Sequence, residues 1–244
     1  MAHLNFAYAD KLFVRYQLAE QEAADAIVIF GGWPGDYANK NSIEFLREQG
    51  YHVFSPLYAG IYQSEGGFLE TNPVTDYEQL INQLKKGVID NLYTNEQEHF
   101  TVNNIYFLGS SFGGSIALGA ASTYNPQRLV LLAPVWDWSK QEGLNEEVAF
   151  AKRAFKHVYR LGFRDEEEML ERLTNYQELQ PSHYTQHVNC PVLVLHDPED
   201  DVVPYKQTQE MKERLAFTEL LHEYGHSMSE PLQAHWGRVE KFLN

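Results

Sequence analysis

Short apolar runs alternate along this chain with longer segments in which apolar side chains recur at helical spacing. Residues 12–18 alternate apolar and polar positions, which predicts a half-buried strand. Residues 26–30, Ala-Ile-Val-Ile-Phe, are continuously apolar and run into Gly31-Gly32-Trp33-Pro34-Gly35, the pattern of a strand covered on both faces. Residues 42–49 follow with Ile43, Phe45 and Leu46 apolar, and Gly50 stands where a helix C-terminal glycine belongs. The alternation repeats: strands at 51–55, 105–108, 129–133, 191–195 and 218–221, helices at about 74–86, 111–124, 204–215 and 231–243. Strands alternating with helices predict the α/β class, a mainly parallel sheet with helices on both faces.

One stretch departs from the alternation. Residues 136–187 contain no strand pattern, only helix-like segments at 146–159 and 165–173, and predict a small helical cap inserted in a single domain spanning 1–244. Asp165 precedes Glu166-Glu167-Glu168, which fits a capped, solvated helix start better than a cation site.

Composition narrows the function classes. With 19 basic and 34 acidic side chains, the 244-residue chain carries a formal charge of −15, which repels phosphate backbones and anionic lipid headgroups. We expect neither nucleic-acid nor membrane-surface binding. No basic segment followed by an apolar core opens the chain, and no apolar stretch approaches the ~18 residues of a membrane span, so the expected location is cytoplasmic. The single cysteine, Cys190, excludes an intramolecular disulfide and a cysteine-rich zinc site, and is expected to be a buried, inert thiol.

The chemistry-bearing signal is Gly109-Ser110-Ser111-Phe112-Gly113, a G-x-S-x-G sequence with a predicted strand before it and a predicted helix after it. So tight a turn lifts the Ser111 hydroxyl above the strand tips at a helix N-terminus, where developing negative charge is favoured. A hydroxyl needs a base, and the base needs an orienting carboxylate. Downstream, one strand is followed by His196-Asp197-Pro198-Glu199-Asp200-Asp201-Val202-Val203-Pro204 and the next by Glu223-Tyr224-Gly225-His226-Ser227. Serine, aspartate and histidine in that order, each in a loop after a strand, is the order of one hydrolase architecture.

On these four segments the sequence resembles the α/β-hydrolase fold family along nearly its whole length. Residues 31–35 look like that family's oxyanion loop, 109–113 like its nucleophile elbow, 200–204 like its acid loop and 225–227 like its histidine loop. The resemblance implies Ser111 as nucleophile, His226 as general base and then acid, and Asp200 as the residue that orients the imidazole, with Asp201 as rival and Asp197 as a distant third. It also implies oxyanion donors in the backbone N–H groups of Phe112 and Trp33, with Gly32 the alternative to Trp33 because the chain has Gly31-Gly32 where the family often has His-Gly. No cofactor is implied.

A metal motif competes for the same residues, since His222-Glu223-Tyr224-Gly225-His226 reads H-E-x-x-H. That reading needs a helix, in which Gly225 would cost about 1 kcal/mol relative to alanine. The extended form would also require a glycine at Ser229 and a histidine at Leu232. His222 is therefore expected at a strand end, with no metal site. His183 and His187 are expected in surface or cap-packing roles, and His196 in a structural hydrogen bond.

The loop from Tyr58 to Phe68 looks like the equivalent loop of dienelactone-hydrolase-like esterases and of the catalytic domains of prolyl-oligopeptidase-type peptidases. Tyr58, Tyr62, Trp136 and Trp138 are candidate pocket rings, with core packing the alternative for each. With no room for the large propeller that usually precedes such a catalytic domain, the resemblance implies a serine hydrolase of small carboxylic esters acting through an acyl-enzyme. A short-peptide hydrolase and a catalytically silent ligand-binding homologue are the alternatives. The expected partner is a small ester or short peptide, and the oligomeric state is left open.

Overall fold

A computed structural model of the chain describes residues 3–34, 40–176, 179 and 185–244. Eight strands form one sheet: β1 (Asn5–Ala9), β2 (Leu12–Gln17), β3 (Ala23–Phe30), β4 (His52–Pro56), β7 (Thr101–Ser110), β8 (Arg128–Leu132), β9 (Val192–His196) and β10 (Thr218–Leu221). Their spatial order is β1-β2-β4-β3-β7-β8-β9-β10, with β2 antiparallel to both neighbours and every other pair parallel. A separate antiparallel hairpin joins β5 (Val88–Asn91) to β6 (Glu96–His99).

The continuous apolar runs are explained by two cores, one on each face of the sheet. Because successive strand side chains point to opposite faces, Val28 and Phe30 enter a large core with α2 (Glu78–Lys86) and α3 (Phe112–Tyr124). Ile27 and Ile29 enter a second core with α1 (Lys40–Glu48), α7 (Ser229–Ala234) and α8 (Trp236–Leu243). The expected helix over 231–243 is thus two helices meeting at His235. Gly50 ends α1 at φ +94°, as its position requires.

Between β8 and β9 lie α4 (Leu144–Ala154) and α5 (Glu166–Asn175). Leu144, Val148 and Ala151 of α4 and Met169 and Leu173 of α5 belong to the large core. The segment is not free of extended pairing, since Tyr159 bridges Ile61 and Leu161 bridges Phe68. Asp165 caps α5, its carboxylate accepting the Glu168 N–H at 3.0 Å. No helix among the described residues is long and apolar enough to cross a membrane.

The parallel strands β4, β3, β7, β8, β9 and β10 all end on one edge. The chain order reverses between β3 and β7, since β3 continues to β4 on one side while β7 leads to β8 on the other. Loops leaving the carboxyl ends of strands at such a reversal are where open α/β sheets place ligands.

Candidate active site

Ser111 joins β7 to α3 in a strained conformation, φ 53° and ψ −122°, which for a non-glycine residue costs on the order of 1–3 kcal/mol and persists only where the surroundings enforce it. The enforcement is visible. The Ser111 N–H donates to the Leu132 carbonyl of β8 at 2.9 Å, and its own carbonyl accepts from Gly114 N at 2.9 Å and Val135 N at 3.2 Å. The flanking glycines are there for space: a Cβ on Gly113 would stand 2.1 Å from the Phe30 carbonyl oxygen and 2.4 Å from that of Gly31. One on Gly109 would stand 2.5 Å from Ala117 Cβ, so α3 packs close on β7 because both surfaces are small.

The same close approach brings the 31–34 loop to the nucleophile. A Cβ built on Gly32 would lie 3.4 Å from Ser111 Cβ and 3.9 Å from its Oγ. The Tyr58 hydroxyl donates to the Gly31 carbonyl at 2.8 Å and fixes that loop from below. The N–H of Phe112, first residue of α3, and that of Trp33 take no protein acceptor among the described residues. Gly35 lies outside the described residues.

Asp200 and His226 meet. His226 Nδ1 lies 2.8 Å from Asp200 Oδ2, and Asp200 Oδ1 accepts the N–H groups of Val202 at 2.8 Å and Val203 at 2.9 Å. Burial alone would raise the Asp200 carboxyl; contacts with His196 and His226, the His226 charge and the Val203 N–H more than reverse this and hold it well below the usual carboxylate range. Asp201 is exposed and Asp200 is buried, so the geometry separates the two rivals. Asp197 plays a different part. It accepts Glu199 N at 2.9 Å and Gly225 N at 2.6 Å, tying the acid loop to the residue before His226. Those N–H groups hold its carboxyl low as well. His226 is the accessible end of the pair, with 21% of its side chain exposed. No hydrogen bond joins Ser111 Oγ to His226 Nε2 among the described residues; in ligand-free sites this contact is often long and tightens when substrate enters.

Above the elbow, the Phe112 ring sits in an aromatic cluster, with ring centroids 5.3 Å from Trp138, 5.5 Å from Tyr58, 5.5 Å from Phe68 and 6.3 Å from Trp33. Three of the four candidate pocket rings, Tyr58, Trp136 and Trp138, belong to the buried core instead. Tyr58 and Trp136 are each 2% exposed, and their polar atoms are bound to Gly31 and to Thr208 respectively. Trp138 flanks Phe112, and its indole N–H, like that of Trp33, is buried without an acceptor among the described residues. Tyr62 is half-buried against Tyr159. Sequence reasoning missed Glu147 of α4, a half-buried carboxyl that burial pushes up to about 7 against the opposing charge of His226; nothing in its sequence context distinguishes it from Glu146.

The segment 222–226 is not helical and turns at Gly225 with φ +57°, so His222 and His226 do not share a helix face. His222 is buried just after β10, its N–H donating to the His196 carbonyl at 3.3 Å, and burial lowers its imidazole. His187 is exposed and His183 lies outside the described residues. Cys190 is half-buried rather than buried, and burial raises its thiol to about 11.

The fold is shared with solved structures. Est1E from Butyrivibrio proteoclasticus, with ferulic acid bound, aligns over 98% of this chain and 97% of its own at TM-score 0.64 and 18% identity. An esterase from Exiguobacterium antarcticum, EaEST, covers 99% of both chains at TM-score 0.63 and 18% identity. The acylaminoacyl peptidase of Pyrococcus horikoshii covers this whole chain at TM-score 0.66 and 18% identity, while this chain spans 40% of it. No curated protein sequence matches. At these identities the likeness is one of fold. The model of the prolyl oligopeptidase family matches residues 40–242, and the chain therefore belongs to that family of serine hydrolases and has the α/β-hydrolase fold.

Proposed function

We propose that the protein hydrolyses small carboxylic esters through an acyl-enzyme formed on Ser111. His226 takes the Ser111 proton as Oγ attacks the carbonyl carbon, then delivers it to the leaving alkoxide; in the second half-reaction it activates water. Asp200 orients the imidazole and stabilises its charged form. The N–H groups of Phe112 and Trp33 receive the oxyanion, and the positive end of α3 favours the same charge. The observation that carries the reading is the 2.8 Å contact of His226 Nδ1 with Asp200 Oδ2, in loops that leave the same sheet as the serine held at φ 53°. The proposed setting is the cytoplasm, where one unpaired cysteine meets no oxidising chemistry.

The test is intact-mass analysis after a fluorophosphonate probe on wild type and Ser111→Ala, with turnover of an aryl ester measured alongside. One adduct and ester turnover on wild type, both abolished in the variant, is the expected result; unchanged turnover in Ser111→Ala would overturn it. Membership of the prolyl oligopeptidase family favours a second reading, hydrolysis of short peptides. Aminoacyl amides cleaved faster than esters of the same acyl group would select it.

A further inference from the structure

A buried line of polar groups that the triad chemistry does not use runs up to Asp200. The indole Nε1–H of Trp136 donates to Thr208 Oγ1 at 2.8 Å, and Thr208 Oγ1 lies 2.7 Å from His196 Nδ1. His196 Nε2 lies 3.0 Å from the Val203 carbonyl oxygen and 3.5 Å from Asp200 Oδ2. His196 and Thr208 are completely buried, and Trp136 nearly so.

Donor and acceptor matching fixes the protons along this line. His196 Nε2 faces two acceptors and no donor, so it must carry a hydrogen. Thr208 Oγ1 already accepts from Trp136, an indole that can only donate, so its single hydrogen is free for His196 Nδ1. A neutral imidazole with its proton on Nε2 satisfies every group; the other tautomer would aim a lone pair at two oxygens and leave the Thr208 hydrogen without an acceptor, at a cost of about 1–3 kcal/mol for a buried group. Thr208 thus decides which nitrogen of His196 is the donor, and the donor faces the loop that presents Asp200.

We propose that His196, oriented by Thr208 and Trp136, is a positioning residue for the triad carboxylate: its Nε2–H anchors the Val203 carbonyl and gives Asp200 Oδ2, the oxygen that His226 also contacts, a second positive dipole. Val203 is the link. Its N–H holds Asp200 Oδ1 at 2.9 Å while its carbonyl is held by His196, so the acid loop is clamped through both polar groups of one residue. The anchor extends to the start of the 136–187 insertion, because Gln207 Oε1, one residue before Thr208 on α6 (Tyr205–Met211), accepts the N–H groups of Trp136 at 3.0 Å and Asp137 at 2.9 Å.

This inference rests on the triad reading above, and the experiment separates the two. Thr208→Val keeps the shape and removes the hydroxyl; Thr208→Ser keeps the hydroxyl. Turnover of p-nitrophenyl acetate would be followed well below each variant's unfolding temperature, with Ser111→Ala as control. Loss of one buried hydrogen bond predicts a fall in kcat of about tenfold in Thr208→Val with KM within about twofold. Thr208→Ser should recover kcat to within about threefold of wild type. Wild-type kcat in Thr208→Val, equal losses in the valine and serine variants, or a loss carried by KM would overturn the positioning role. An active Ser111→Ala would instead overturn the triad reading.

Discussion

Glu147 makes the thermal stability of this protein depend on pH in a way that one substitution should remove. Its carboxylate stands in the first turn of α4, where the helix dipole favours negative charge, and it has no hydrogen-bond or ion-pair partner among the described residues. Burial outweighs the charge of His226 and moves the carboxyl from 4.5 to about 7. The unfolded chain therefore ionises at lower pH than the folded one. Stability from the protonated carboxyl is fully present below 4.5 and is lost as pH rises through about 7. At more than about 1 kcal/mol per pH unit the ceiling is on the order of 3 kcal/mol; partial exposure to solvent reduces this to roughly half. Glu147→Gln removes the titration while keeping the shape. For a chain of this size, about 2–4 °C of Tm per kcal/mol predicts that the variant melts about 3–8 °C above wild type at about pH 8. Near pH 4.5 that advantage should shrink to about 1 °C or less. Melting curves of both proteins at the two pH values test this. An advantage of equal size at both, or none at about pH 8, would show that Glu147 is not held protonated by burial.

Two further substitutions probe the scaffold, and a third probes a helix cap. Gly113→Ala drives a Cβ onto the backbone oxygens of Phe30 and Gly31, which cannot swing aside; we expect loss of at least about 3 kcal/mol and of ester turnover. Gly237→Ala in α8, whose Cβ would meet nothing within 4 Å, should instead stabilise by about 0.5–1 kcal/mol with turnover unchanged, and urea melts of both variants compare them directly. Asp165→Ala removes the cap on α5 and should lower stability by about 1 kcal/mol, with Asp165→Asn close to wild type; a drop in Asn as large as in Ala would deny the cap its role.

Legibility in the sequence followed burial. Residues 26–30, 105–108 and 192–195 of β3, β7 and β9 stood out because both faces of the sheet are covered there, so these stretches are apolar. β1 and the β5–β6 hairpin left no such trace. β6 is Glu-Gln-Glu-His, and nothing in those four residues favours a strand. It is extended because it pairs with β5, and because Glu98 accepts from the Tyr16 hydroxyl at 2.9 Å and from Asn91 Nδ2 at 2.8 Å. In the site, residues confined to a motif were legible, and the pairing of Asp200 with His226 follows from two loops that leave neighbouring strands. Residues that act across the fold were not. Gln207 and Thr208 reach Trp136 from 71 and 72 residues away, and Tyr58 reads as a pocket ring until its hydroxyl is seen on the Gly31 carbonyl. Local pattern records periodicity and turn chemistry; it holds no record of which distant peptide a buried hydroxyl will satisfy.

The hydrogen bonds divide the candidate site into two separately built halves. On one side, β7, β8 and the 31–34 loop hold Ser111 in its strained turn through backbone contacts and glycine-to-backbone approach. On the other, one acid loop holds the histidine loop at two adjacent residues, Asp197 by the Gly225 N–H and Asp200 by the His226 ring. The two tethers do different things: the first fixes where the backbone runs, and the second fixes how the imidazole is turned about it. Each carboxylate also accepts N–H groups of its own loop on its other oxygen, so neither can swing to follow a displaced histidine. Among the described residues no hydrogen bond joins Ser111 Oγ to His226 Nε2, the pair between which the proposed chemistry moves its proton. Rigidity of both partners suits the proposed proton transfer from a weak nucleophile, because the cost of orienting the groups is met in folding and not in the transition state.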